Sequence, residues 1–197
     1  MAYESYGIII TLEEIKEKLK KSIKPERYAH SINAMNTAVE LAKHYGVDKR
    51  KAEIAGILHD CARDLDTEYI YVICKDAGMK VDEIKKRQPK LLHGPVGAYI
   101  ARVDYGIKDE EVLEAIRVHT TGKENMEMLD KIIFISDYIE PGREFPGVDS
   151  IRELVFKDLD RAMVLAFDNT ISHVLEKGEL LHPDTVHARN YILIHSP

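Results

Sequence analysis

Ala52-Glu53-Ile54-Ala55-Gly56-Ile57-Leu58-His59-Asp60 carries a helix-forming apolar run straight into an imidazole and a carboxylate, with small residues behind the pair. A buried Asp needs a cation or several donors, because an unpaired charge is costly to take out of water. Ile133-Phe134-Ile135-Ser136-Asp137-Tyr138-Ile139 repeats the problem with a second carboxylate in a stretch that reads as core. His30 and His119 also lie in segments rich in Ala, Ile, Leu and Val. A lone His on an apolar helix face is more often a hydrogen-bonded core residue than a ligand. Two such carboxylates together with two histidines, however, make a divalent metal the simplest common partner. The ligand set is His30, His59, Asp60 and Asp137, and mixed imidazole and carboxylate ligands suit iron, manganese, zinc or nickel better than calcium or magnesium. Four protein ligands leave octahedral positions for water and a phosphate oxygen, as metal-assisted hydrolysis requires.

Outward from this run the punctuation is helical. Thr11 with Glu14 forms a capping-box pair, Pro25 suits a first turn, and Gly46 ends the run that begins there. Asp48 caps Lys49–Arg63, Asp66 or Thr67 caps a segment ending at Gly78, Pro95 opens Val96–Tyr105 before Gly106, and Asp109 caps Glu110–His119. Glu127–Ile139 is apolar all round and reads as a deeply buried helix; its β-branched run could form a strand, but it is too long for one and has no partner. Ser150–Lys177 is helical with a break near Asp158, and Pro183 opens the last helix. The fold class is therefore all-α, and residues 1–197 are expected to form a single domain, with a core at about 25–140 and C-terminal helices at 150–195. The irregular stretch Glu140–Asp149 is a candidate wall of a site, and the Lys-rich segment Lys16–Lys24, with Glu13, Glu14 and Glu17 interleaved, reads as a solvated helix face.

Hydrophobic residues make up 45% and charged residues 31%, an ordinary globular balance. A net charge of −6 argues against a general nucleic-acid binder but leaves room for a small polyphosphate held by a local positive site. Met1 to Ile10 lack the basic start and apolar core of a signal peptide, and runs such as Tyr69–Cys74 are too short to span a membrane, so a cytoplasmic location is expected. Cys61 and Cys74 read as buried, reduced thiols.

The order of a His, a His-Asp doublet, further histidines and a late Asp is that of the HD-domain superfamily of phosphohydrolases. The strings Leu58-His59-Asp60-Cys61-Ala62-Arg63, Leu92-His93-Gly94-Pro95, Ala115-Ile116-Arg117-Val118-His119-Thr120-Thr121-Gly122, Asp137-Tyr138-Ile139-Glu140-Pro141, Phe145-Pro146-Gly147-Val148 and His182-Pro183-Asp184-Thr185 resemble its YqeK branch. The resemblance covers about His30 to Asn190 in family order. It implies an HD-domain helical bundle and hydrolysis of diadenosine tetraphosphate to two ADP, with iron as the metal and manganese or another transition metal as alternatives. It also implies that His30, His59, Asp60 and Asp137 hold the metal. The nucleotide pocket would then comprise His30, Asp60, Cys61, Ala62, Arg63, His93, His119, Asp137, Tyr138, Arg143 and the segment Leu180, Leu181, His182, Pro183, Asp184 and Thr185. Arg63 stands where many HD proteins carry Lys, keeping the positive charge on a wider, planar donor.

The catalytic candidates beside Asp60 are His93, His119 and Arg143. His93 and His119 sit at expected helix edges; as imidazolium they would stabilise phosphoryl charge or protonate a leaving phosphate, and as neutral rings they could hold a second metal. Arg143, six residues after Asp137 in the Pro/Gly loop, is close enough to fold over the site and grip phosphate oxygens. His182-Pro183-Asp184-Thr185 either presents a helix N-terminus to a ribose or base or caps its own helix. His44, His173, His187 and His195 are read as solvent or structural residues. Two other functions compete: a nucleotidase or phosphodiesterase acting on another small nucleotide, and a non-catalytic ADP-binding sensor. A homodimer is compatible with the sequence.

Overall fold

The computed structural model describes residues 10–196, so the reading of Met1 to Ile10 falls, except for Ile10, outside the described residues. Helix α1 is Leu12–Ser22, opened by both halves of the Thr11–Glu14 capping box. It lays Ile15 and Leu19 into the core and leaves Lys18, Lys20 and Lys21 exposed, as expected for a solvated basic face. Helix α2, Pro25–Tyr45, starts on its proline and closes at Gly46, whose φ of 69° is the left-handed cap that glycine supplies at least cost.

Helix α3 is Lys49–Leu58, with the Asp48 carboxylate accepting from Arg50 N. It stops five residues short of the expected Arg63. From His59 onward the chain runs in tighter turns, with Cys61 N donating to Leu58 O, Arg63 N to Asp60 O and Leu65 N to Ala62 O. Such i→i+3 turns keep the same three-residue apolar spacing as an α-helix, so the periodicity does not register the change. At Gly56, α3 approaches α2 so closely that an added Cβ would lie 2.7 Å from Met35 Cα.

Helix α4, Thr67–Asp76, is capped by Asp66 and ends two residues before the expected Gly78. The short α5, Glu83–Arg87, and a 3₁₀ turn over Pro89–Leu92 follow, neither anticipated. Helix α6, His93–Val103, opens at His93 rather than after Pro95. Proline is tolerated inside a first turn because the N–H it lacks has no intrahelical acceptor there. Helix α7 is Glu110–Val118 on its Asp109 cap, and α8 is Met128–Ile139, a helix buried along most of its length rather than a strand. Helices α9, Val148–Leu154, and α10, Leu159–Glu176, are separated at Asp158, which caps α10 through Arg161 N at 2.9 Å. Helix α11 is Pro183–His195.

The protein is all-α, with no strand among the described residues. Helix α2 packs chiefly on α3 and α8, α7 packs on α3, α6 and α8, and the α10–α11 pair leans on α8 and α9. One apolar cluster runs from Ile15 to Ile192, and a smaller one holds Ala62, Ile70, Ile73, Cys74, Leu92 and Val96. Both cysteines are buried free thiols, pushed up from the usual thiol range by that burial. No helix among the described residues is long and apolar enough to cross a membrane.

Candidate metal centre

Five helix ends and turns deliver the polar groups that this core otherwise excludes. The first turns of α2 bring His30, the end of α3 brings His59 and Asp60, the start of α6 brings His93, the end of α7 brings His119, and the last turn of α8 brings Asp137. The His30 Nε2 atom lies 3.2 Å from His59 Nε2, 3.0 Å from Asp137 Oδ1 and 3.7 Å from Asp60 Oδ2. On the other side of the same carboxylate, His93 Nε2 lies 3.2 Å and His119 Nε2 3.6 Å from Asp60 Oδ1, and the two rings approach to 3.0 Å through their Nε2 atoms. His59, Asp60, His93 and His119 are all buried.

The far nitrogen of every ring is already committed. His59 Nδ1 lies 2.7 Å from Gly56 O, His119 Nδ1 2.7 Å from Ile116 O, His93 Nδ1 2.5 Å from Lys90 O and His30 Nδ1 3.1 Å from Glu140 Oε1. These oxygens only accept, so in the neutral form of each ring Nδ1 carries the proton and Nε2 is left with a lone pair to offer. Four lone pairs and two carboxylates facing one another repel unless a cation lies among them. Two ligands held about 2.1 Å from an ion at right angles are about 3.0 Å apart, which matches the shortest separations here. Three overlapping sets bring their ligand atoms within 4.8 Å of one another: His30, His59 and Asp60; His59, His119 and Asp137; and Asp60, His93 and His119. The donor set therefore fits a divalent transition metal.

Protonation agrees with that fit. Burial holds the His59 imidazole at about 4 and lowers that of His93, leaving both rings neutral near neutral pH. Burial alone would raise the Asp60 and Asp137 carboxyls, but the neighbouring imidazoles at Asp60, and the His30 hydrogen bond with the Arg143 guanidinium at Asp137, outweigh it and hold both below the usual carboxylate range. Burial likewise pulls His30 down, yet the hydrogen bond and charge of Asp137 turn the balance upward, so a proton readily takes the position an ion would fill.

Around the ligands lies a polar cavity of about 250 Å³ whose lining includes Arg27, Asp60, Arg63, His93, His119, Thr120, Asp137, Tyr138, Arg143 and Thr170. Arg143 donates through Nη2 to Asp137 Oδ1 at 2.5 Å and through Nε to Asp137 O at 2.9 Å. Arg63 Nη1 donates to Lys90 O at 3.4 Å and lies 2.9 Å from His93 Nδ1.

Not all of the sequence-selected residues arrive here. The Cys61 thiol turns toward Gly97 O at 3.5 Å, and Ala62 lies in the smaller apolar cluster. None of Leu180 to Thr185 lines the cavity. His182 instead caps α11 by accepting from Asp184 N at 3.2 Å and meets Asp82 Oδ2 at 3.1 Å, while Asp184 borders a separate recess beside Thr120 and Thr121. Two residues given no role from the sequence, Arg27 and Thr120, belong to the site, as does Glu140 from the stretch read as a candidate wall. Arg27 donates to Asp60 Oδ2 at 2.8 Å, and its Nε is buried without a partner. Glu140 accepts from His30, and the Thr120 hydroxyl lies 3.1 Å from His93 Nε2 and 3.3 Å from His119 Nε2. Arg27 precedes His30 by three residues and Glu140 follows Asp137 by three, so same-face helical spacing was the available signal. A larger cavity, about 770 Å³ between Tyr45, Lys131, Asp160 and Ile192, shares no lining residue with the centre.

Residues 27–142 match the HD domain family. The symmetrical bis(5'-nucleosyl)-tetraphosphatase of Halalkalibacterium halodurans is 43% identical over 176 residues, 89% of this chain and 94% of that protein. Its counterpart from Bacillus subtilis is 40% identical over 181 residues, 92% of this chain and 97% of that protein. A crystal structure from Clostridium acetobutylicum, of a predicted HD superfamily hydrolase involved in NAD metabolism, is similar at a TM-score of 0.92 and 46% identity, covering 95% of this chain and 99% of its own.

Proposed function

The chain belongs to the HD domain family, and from that premise we propose that it hydrolyses diadenosine tetraphosphate at the central anhydride to give two ADP. The carrying observation is the convergence of four imidazole lone pairs and two ionised carboxylates beside three arginines. His30, His59, Asp60 and Asp137 hold the divalent metal, iron first, with manganese or another transition metal able to substitute. When bound, the ion supplies an acidified water and draws charge from the phosphoryl oxygens.

The chain's own groups do the rest. Arg143, Arg63 and Arg27 ring the cavity and grip phosphate oxygens, Arg143 while anchored on Asp137. Asp60 holds its two oxygens toward different histidine pairs and so fixes where the reacting phosphate lies. His93 and His119 face that phosphate from the Oδ1 side. A second reading is favoured there by the 3.0 Å approach of their Nε2 atoms: together with Asp60 they would hold a second ion. The partner is a small nucleotide, with neither nucleic acid nor membrane required, and residues 1–197 act as one cytoplasmic catalytic domain, alone or as a homodimer.

The test is incubation of protein reconstituted anaerobically with iron(II), and separately with manganese, with diadenosine tetraphosphate, followed by chromatography of the products. ADP alone is expected. AMP with ATP would place the attack off centre, and tight ADP binding without any product would make the chain a sensor.

A further inference from the structure

Past Arg143 the metal centre opens into a second cavity, of about 570 Å³, which shares Asp137, Tyr138, Arg143 and Thr170 with the first. The two differ in chemistry. The first is walled chiefly by imidazoles, carboxylates and guanidiniums, whereas the second has the rings of Tyr138 and Phe145 with Pro146 on one wall and Asn169, Ser172, His173 and Glu176 of α10 on the other. The two rings meet edge to face at 5.0 Å, an arrangement that aromatic pairs favour.

Size and symmetry give the second cavity its occupant. A volume of about 250 Å³ falls below the roughly 300–1,000 Å³ usual for ligand pockets, and about 570 Å³ falls within it. Central cleavage requires the scissile bond at the metal and two equal nucleoside diphosphate arms leaving it by different routes. One arm's nucleoside therefore needs a seat that begins at the phosphate-gripping arginine and ends on apolar and aromatic surface with polar groups at its edge. We propose that the cavity between the Phe145 loop and α10 seats the purine nucleoside of one of the two arms, with Arg143 at its mouth holding that arm's phosphate. The proposal rests on the hydrolase reading above. Asn169, Ser172 and Glu176 supply the donors and acceptors that a purine edge requires, and base stacking on a protein ring commonly contributes a factor of ten or so in affinity.

Two variants test it. Phe145→Ala removes the stacking surface, and Ser172→Trp, at an exposed helix position, fills the seat without touching the core. Equilibrium dialysis of the metal-loaded protein against ADP should give two ADP per chain, falling to one in each variant at the same ADP concentration. Turnover compared between diadenosine tetraphosphate and adenosine 5'-tetraphosphate, which has one nucleoside, should show the preference for the dinucleotide falling by roughly tenfold or more. Unchanged stoichiometry in both variants, or an unchanged preference, overturns the seat. A protein that cleaves neither compound overturns the hydrolase reading alone, because the dialysis still decides the seat.

Discussion

On the Oδ2 side of Asp60, His30 and His59 share their space with Asp137, and Arg27 and Glu140 stand behind them. On the Oδ1 side, His93 and His119 share theirs with the Thr120 hydroxyl, and Arg63 stands behind His93. Both sides pair two imidazoles across about 3 Å. They differ in charge: the first side adds two carboxylates to Asp60, and the second adds none. Negative charge retains a cation, so on the proposed reading the first side would hold an ion most firmly, while the second, beside arginine, would suit a phosphate oxygen or a more weakly held second ion.

Removing what both sides share should have the largest effect. Asp60→Ala should lose the metal and roughly 1,000-fold or more in turnover together, since the ion's contribution and the phosphate's position go at once. Elemental analysis beside the product assay checks it, and an Asp60→Ala protein with normal activity would defeat the metal assignment. Separating the sides comes next. His30→Ala should empty the first side, whereas His93→Ala should keep at least one ion per chain while losing roughly 100-fold in turnover. Equal metal loss in the two variants would erase the distinction.

A milder cut is Glu140→Ala. Glu140 Oε1 fixes the tautomer of His30, and its Oε2 also accepts from Gly142 N at 2.6 Å, so one carboxylate orients both a ligand and the loop that carries Arg143. Loss of such a supporting partner costs roughly 10–100-fold in metal affinity, which excess metal should restore. Arg143→Ala should instead keep the metal and weaken turnover by roughly tenfold to 100-fold, with excess metal giving no rescue. Titration of each variant with manganese distinguishes the two behaviours.

These contrasts also mark where the sequence could be read. Asp48, Asp66 and Asp109 announced helix starts because a carboxylate that caps amides does so through its immediate neighbours, and Asp158, read only as a break, caps α10 in the same way. The clustering of histidines and carboxylates was legible for a related reason: Asp60 and Asp137 stand in apolar runs where a lone carboxylate is costly. Helix α5 was not legible, because five residues are too few to show a period. Arg27 and Glu140 were passed over because each has its effect through a residue on another helix, and only their three-residue spacing from a ligand hinted at it. His182-Pro183-Asp184-Thr185 left two readings open, and its cap is the one seen in the structure.

Thr120 offers the finest division of the two sides. Its hydroxyl stands 3.1 Å from His93 Nε2 and 3.3 Å from His119 Nε2, where one proton can be donated to only one of two lone pairs. On the first side no hydroxyl among the described residues stands comparably between His30 and His59, so their repulsion is met by a cation or a proton. Thr120→Val keeps the shape and removes the hydroxyl. The loss of one neutral hydrogen bond, about 0.5–1.5 kcal/mol, should slow turnover by only a few-fold and leave the firmly held ion in place. With the lone pairs of His93 and His119 no longer shared with a hydroxyl, the second side should also bind added manganese more tightly than before. A titration in which Thr120→Val gains no affinity on that side would show that the hydroxyl is a bystander, and that the two sides differ in charge alone.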